Sequence, residues 1–232
     1  GTFDGKDNYN GFNVCASEGA TVKIEGGNFL SCHSGSLYGN GTIEVSGGKF
    51  FDAVPENRCA AGYIPTQFAD GYYGVKEGKY VAQIGTTKYA SLQAALNDAA
   101  AGTGNVTVEI LDNINLTGID WNPVTVSAPG YPVVTVEGNN NTITGLNDML
   151  FAATWAGNSG LIIKNLTIEN STIENDKNDA AGNVGVGAFV GYPQASAIIT
   201  LENCHLKNSS VEGGHWTGGL IGMAGGYNGA DG

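Results

Sequence analysis

The 232-residue chain carries 10 Lys+Arg against 22 Asp+Glu, a formal net charge of −12, although only 14% of its residues are charged. That balance argues against a nucleic-acid binder, whose phosphate partners demand basic neutralisation, and against docking on an anionic membrane surface. With 37 glycines in no collagen-like period and apolar runs too short for a transmembrane helix, the composition fits a turn-rich, acidic, secreted or surface protein.

The opening "GTFDG" resembles the end of a pattern, and the closing "GGYNGADG" stops inside another. The chain is therefore expected to be a segment of a larger protein, with export signal and anchor elsewhere. "TVKIEGGNF" (Thr21 to Phe29) returns as "TIEVSGGKF" (Thr42 to Phe50) at an offset of 21. Short β-rich strings repeating in the twenties between Gly and Asn predict solenoid-like rungs, assigned to residues 1–54. Residues 55–88 are turn-rich and read as a connector module, with a block boundary near residue 80. Within it, "YYGVKEGKYV" predicts a hairpin around Glu77-Gly78.

Residues 89–232 are assigned to a helix-capped solenoid. Ser91 is an N-cap, Leu92, Ala95, Leu96 and Ala99 form one apolar stripe, and Gly102 stops the helix. Strand strings follow at 105–111, 114–118, 132–138, 141–146, 161–170 and 197–203. "VGVGAFVG" (184–191) and "WTGGLIGMAGG" (216–226) alternate glycine with apolar residues. "KNLTIENSTIE" (164–174) returns as "ENCHLKNSSVE" (202–212), 38 positions on, with Leu166, Ile168 and Ile173 replaced by Cys204, Leu206 and Val211. Keeping period-2 apolar slots while polar letters drift is the behaviour of strands with one buried face. If the copies stack, Asn165 meets Asn203 and Asn170 meets Asn208 as amide ladders. Lys23 then faces Glu44, Lys164 faces Glu202, Glu169 faces Lys207, and Glu174 sits over Glu212. The helix would cap an end whose strand edges are otherwise open.

"YASLQAALNDAAAGTGNVTVEILDNINL" and "VTVEGNNNTITGL" resemble the entry helix and first coils of pectin-lyase-like right-handed parallel β-helices. "VGAFVG" and "TGGLIG", each tied to an N-x-x-[LI]-x-N-S string, resemble GLUG-type repeats of bacterial surface proteins. "FADGYYGVKEGKYVAQIG" resembles the connector between modules of adhesin-like proteins of Gram-positive gut bacteria. The expected fold is all-β: a right-handed parallel β-helix with an N-terminal capping helix, preceded by the repeat block and connector. The resemblance implies an extracellular, cell-surface segment.

Lyases of this fold use a basic residue beside carboxylate-bound calcium, and its galacturonase-type hydrolases use clustered aspartates. This chain has a single arginine, Arg58, outside the capped solenoid, and no Asp-Asp pair. No catalytic residue is assigned, and the alternative is a carbohydrate-active lyase or hydrolase built on an unmarked carboxylate pair. The oxygen-rich "ENDKNDAAGN" (174–183) offers calcium ligands in no EF-hand register, so no cofactor or metal site is assigned. His33, His205 and His215 are dispersed. Cys15, Cys32, Cys59 and Cys204 have no C-x-x-C spacing; Cys15 bridged to Cys32 or Cys59 and four free thiols both stay open.

Aromatics in turn-rich connections carry the binding expectation. Trp121, Trp155, Trp216, the adjoining His215 and Tyr192 are the candidate ligand contacts, because an exposed indole suits a sugar ring or a protein partner. The alternative for each is packing over a coil's flank. The expected partners are a host glycan, a glycoprotein or an immunoglobulin, with no nucleic acid and no direct membrane insertion, bound by a monomeric segment of a larger chain.

Overall fold

The computed structural model describes residues 2–4, 11–31, 34–126, 133–154, 160–175, 185–193, 197–213 and 216–223. Among these the protein is all-β except for one α-helix and one short 3-10 turn, and the chain divides into two units, Gly1–Lys79 and Tyr80–Gly232.

The first unit contains β1 (Thr2–Asp4), β2 (Phe12–Cys15), β3 (Thr21–Ser31), β4 (Gly35–Tyr38), β5 (Thr42–Phe50), β6 (Tyr63–Gln67) and β7 (Tyr73–Glu77). The two copies of the 21-residue repeat, β3 and β5, lie parallel, with Val22 opposite Ile43, Ile24 opposite Val45 and Phe29 opposite Phe50. The phenylalanine rings stack with centroids 4.8 Å apart and planes 8° apart. β1 adds in parallel on the far side of β3, Phe3 opposite Phe29. Around the Gly-Gly pairs the register slips. A Cβ on Gly47 would lie 2.3 Å from the Glu25 carbonyl oxygen, so the close approach there requires glycine. Ala16, Ile24, Phe29, Ile43, Val45, Phe50, Val54 and Val75 form this unit's buried core.

The hairpin of this unit is not where the sequence places it. β7 pairs antiparallel with the preceding β6, and the turn runs from Phe68 to Tyr72, where Phe68 N–H donates to Tyr72 O at 2.8 Å. Ala69-Asp70-Gly71, with Gly71 at φ 88°, is the stronger turn signal. Through Phe50 opposite Tyr73, β7 joins β5 in a sheet that mixes parallel and antiparallel pairs.

The second unit opens with a hairpin, β8 (Ala82–Ile84) and β9 (Thr87–Tyr89), turning at Gly85-Thr86. Residues 55–88 therefore do not form one connector: β6 and β7 belong to the first unit, β8 and β9 to the second. Helix α1 (Leu92–Ala101) follows, its first turn capped by Ser91 Oγ, which accepts the Ala94 N–H at 3.4 Å. Its buried face is Leu92, Ala95, Leu96, Ala99 and Ala100.

Four passes of strands come next. The first holds β10 (Val106–Ile110), β11 (Ile114–Asn115) and β12 (Val124–Val126); the second holds β13 (Val133–Glu137), β14 (Thr142–Thr144) and β15 (Phe151–Thr154). The third holds β16 (Gly160–Lys164), β17 (Thr167–Glu169), β18 (Thr172–Asn175), β19 (Gly185–Val186) and β20 (Val190–Pro193). The last holds β21 (Ile198–Glu202), β22 (His205–Lys207), β23 (Ser210–Gly213) and β24 (Trp216–Thr217). Equivalent strands pair in parallel, in the orders β10-β13-β16-β21, β11-β14-β17-β22 and β12-β15-β20, with β18 beside β23 and β19 beside β24. At the first pass, β8 pairs antiparallel with β10, and α1 packs on β8, β9, β10 and β12. These cover an apolar end that would otherwise meet water.

Inward columns make the core. Val108, Val136 and Ile163 succeed one another at 0% exposure, as do Ile143 and Ile168. Ile168 lies opposite Leu206, as the 38-residue repeat requires. Leu201, Cys204, Leu206 and Val211 of the last pass are only partly buried. Where the two Gly-rich strings meet, a Cβ on Gly187 would lie 2.5 Å from the Gly222 nitrogen, and one on Gly222 would lie 2.3 Å from the Val186 nitrogen. Backbone lies against backbone there.

Candidate functional site

Trp121 is a core residue. It is 4% exposed; its indole Nε1 donates to the carbonyls of Met149 at 3.0 Å and Leu150 at 3.4 Å, and its main-chain N–H donates to Asn147 Oδ1 at 3.1 Å. A buried indole needs an acceptor for its N–H, and the next pass supplies two. The expectation of a displayed ring is corrected at this position. Tyr192 and Trp216 are half-buried and lie in strands rather than connections, Tyr192 beside Ala153 and Trp216 beside Gly185. Trp155 and His215 lie outside the described residues.

The outward faces of the second unit are cross-linked from pass to pass. Lys164 Nζ lies 2.9 Å from Glu202 Oε2, and this hydrogen bond, more than the charge attraction, raises the lysine above its ordinary pKa. Glu137 Oε1 accepts the Asn165 amide at 2.9 Å and the Asn139 N–H at 3.0 Å. Asn203 Nδ2 donates to Asn165 Oδ1 at 2.9 Å, the expected ladder. The second ladder differs: Asn208 Nδ2 donates to Glu169 Oε1 at 3.1 Å, in preference to Asn170. Asp148 accepts from Asn175 at 3.1 Å. Lys23 and Glu44 pair at 3.4 Å in the first unit, and Glu169 sits opposite Lys207 as expected.

A second reason for the repeated asparagines was hidden in the sequence. Asn165, Asn170, Asn203 and Asn208 have φ of 52°, 49°, 52° and 46°, the left-handed region that asparagine tolerates better than other side-chain-bearing residues. The serine after each second asparagine is also employed. Ser171 Oγ accepts the Leu146 N–H at 3.0 Å and donates to Glu169 O at 3.0 Å, and Ser209 Oγ does the same for Ser171 N–H (3.0 Å) and Lys207 O (2.7 Å).

Cys15, Cys59 and Cys204 are free thiols. Burial pushes Cys59 and Cys204 above the usual thiol pKa, so neither is primed as a thiolate. Among the described residues no three His, Cys, Asp or Glu converge to hold a metal ion, and no helix is long and apolar enough to cross a membrane. Of the loop 174–183, only Glu174 and Asn175 are described.

A concave surface lies on the first unit instead. It is a shallow depression of about 500 Å³, open to solvent, lined by Gly27, Asn28, Gly48, Lys49, Phe68, Ala69 and Asp70. One side is the register slip of the two repeats, where Gly27 and Gly48 take φ of 113° and 109°. The other is the β6–β7 turn. Lys49 Nζ forms an ion pair with Asp70 Oδ2 and stands 5.5 Å from the centroid of the Tyr72 ring. Asp70 Oδ1 accepts the Tyr72 N–H at 3.3 Å. The hydrogen bond from Lys49, with smaller help from Tyr72 N–H, holds the Asp70 carboxyl below its ordinary pKa. The sequence signal for this surface was the "GGNF"/"GGKF" pair, which reads as strand punctuation until the turn is seen beside it.

No family model, curated protein or solved structure matches this chain.

Proposed function

We propose that the chain is a right-handed parallel β-helix segment with GLUG-type coils, preceded by a short repeat block. In this reading it is a non-catalytic stalk and binding surface of an extracellular, adhesin-like protein, with a host glycan or glycoprotein, immunoglobulin included, as partner. The observation that carries the reading is how four of the outward carboxylates are used, while Glu109 lies opposite Glu137 and Glu174 opposite Glu212 as in-register carboxylate pairs. Glu137, Asp148, Glu169 and Glu202 each bond an amide or an ammonium of another pass. Glycoside hydrolysis needs two carboxyl groups facing one sugar with a proton to give and a lone pair to offer. Carboxylates that tie neighbouring passes together support a scaffold, and the in-register parallel columns support an extended one.

The test is a glycan array and immunoglobulin capture with the 232-residue protein, run beside incubation with polyuronate and host glycans. Retention of a glycan or an immunoglobulin without new reducing ends or unsaturated products supports the proposal. Cleavage abolished by Glu109→Gln together with Glu137→Gln, or by Glu174→Gln together with Glu212→Gln, the carboxylates that lie opposite each other on neighbouring passes, overturns it. Silence in both binding arms, with no cleavage, reduces the reading to a stalk alone.

A further inference from the structure

The geometry points to the concave surface of the first unit as a site for a neutral saccharide; this locates the glycan contact of the function proposed above and rests on that reading. The volume, about 500 Å³, lies in the range of small-ligand sites, roughly 300–1,000 Å³. Its lining combines an apolar wall with a few converging polar groups. Phe68 is half-buried, so one part of the ring is held by the fold while another lines the surface. An aromatic face matches the C–H face of a pyranose ring. Gly27 presents main chain without a Cβ and the Cβ position of neighbouring Gly26 is open, whereas at Gly48 that position faces the Phe50 ring 3.2 Å away. A ring can therefore approach the backbone closely at Gly27.

The polar groups suit hydroxyls. Exposed Asn28 offers an amide that both donates and accepts. Asp70 is held by Lys49 on one oxygen and by the Tyr72 N–H on the other, and each oxygen keeps a lone pair for a sugar O–H. Charge selects among sugars. Lys49, the one cation of the lining, is already neutralised by Asp70, and the chain as a whole carries −12. An anionic sugar or acidic peptide would meet no uncompensated positive charge and a repelling field, whereas a neutral ring loses nothing.

The experiment is a titration of the isotope-labelled 232-residue protein with lactose, N-acetyllactosamine and maltose, and in parallel with sialyllactose and polygalacturonate, followed by amide NMR. Neutral sugars should shift the amides of residues 27–28, 48–49 and 68–70, and the acidic ones should not. Phe68→Ala and Asn28→Ala should each weaken binding about tenfold, the loss of one contact of ordinary strength. Phe68 also packs beside Gly74, so exposed Asn28 supplies the variant that leaves the fold intact. Shifts confined to other residues, unchanged affinity in Asn28→Ala, or stronger binding of the acidic probes would overturn the site. If the glycan array is positive while these amides stay unmoved, this site fails and the proposed function stands. If every glycan is silent, the glycan part of that function falls with it.

Discussion

Asn170 turns the chain in the left-handed region at φ 49°, and Gly145, just after the residue opposite Glu169 in the pass before, does so at φ 71°. Forcing a β-carbon without a compensating side-chain amide into that region costs about 1–2 kcal/mol. Asn170→Ala should therefore lose about 1 kcal/mol in urea unfolding while Asn170→Gly stays within about 0.5 kcal/mol. Inward residues follow a different rule. Ile168 is fully buried between two passes, so Ile168→Ala should cost about 3 kcal/mol; Leu206→Ala, on the half-buried last pass, should cost about half as much. Both roles were visible to different degrees. The inward slots were legible because apolarity recurs with period 2, whereas the left-handed φ was not, because asparagine also forms amide ladders and the letter alone does not separate the two. Asp70 gives a titration to measure. Its folded pKa is depressed, so the stability it adds is present above the ordinary aspartate value and is lost as pH falls through the lower folded one. Lys49→Gln should move the Asp70 carboxyl resonance midpoint upward.

At the scale of elements, α1 was the most legible piece, because its N-cap, stripe and stop agree with each other. Ser91→Ala should lower stability by about 1 kcal/mol, read in the thermal unfolding of the variant. The hairpins were less legible. Tyr73–Glu77 has strand character toward either neighbour, and the choice of partner rests on Gly71 and the pairing of Tyr73 with Phe50. Trp121 illustrates the same limit in the candidate site. Its flanks, "IDWNP", are turn-like, but the Met149 and Leu150 carbonyls that draw its indole inward come from 28 and 29 residues later. Local composition does not carry that information. The concave surface of the first unit was illegible for the same reason, since its two sides are separated by the whole of β6.

Across the second unit, burial changes with position in the stack. Ile143 and Ile168 have a pass on either side, and Leu206 has one described neighbour. Local opening follows buried apolar contact, so amide hydrogen exchange should be slowest in β13, β14, β16 and β17 and fastest in β21 to β24. Uniform protection through all four passes would contradict this gradient. The 38-residue offset made the pairing of the third and fourth passes legible; the pairings of the earlier passes, which carry no repeated string, and the mixed sheet, in which β8 and β9 are antiparallel additions, were not.

The spacing between paired residues is uneven. Val106 to Val134 is 28 positions, Val134 to Leu161 is 27, and Leu161 to Ile199 is 38, yet each pair falls in the same parallel register. Alignment is thus enforced at the strands alone and is indifferent to contour length between them. A gene encoding such a chain can take in codons between β17 and β20, where the third pass carries β18 and β19, without moving the columns on either side, while the asparagine corners stay fixed.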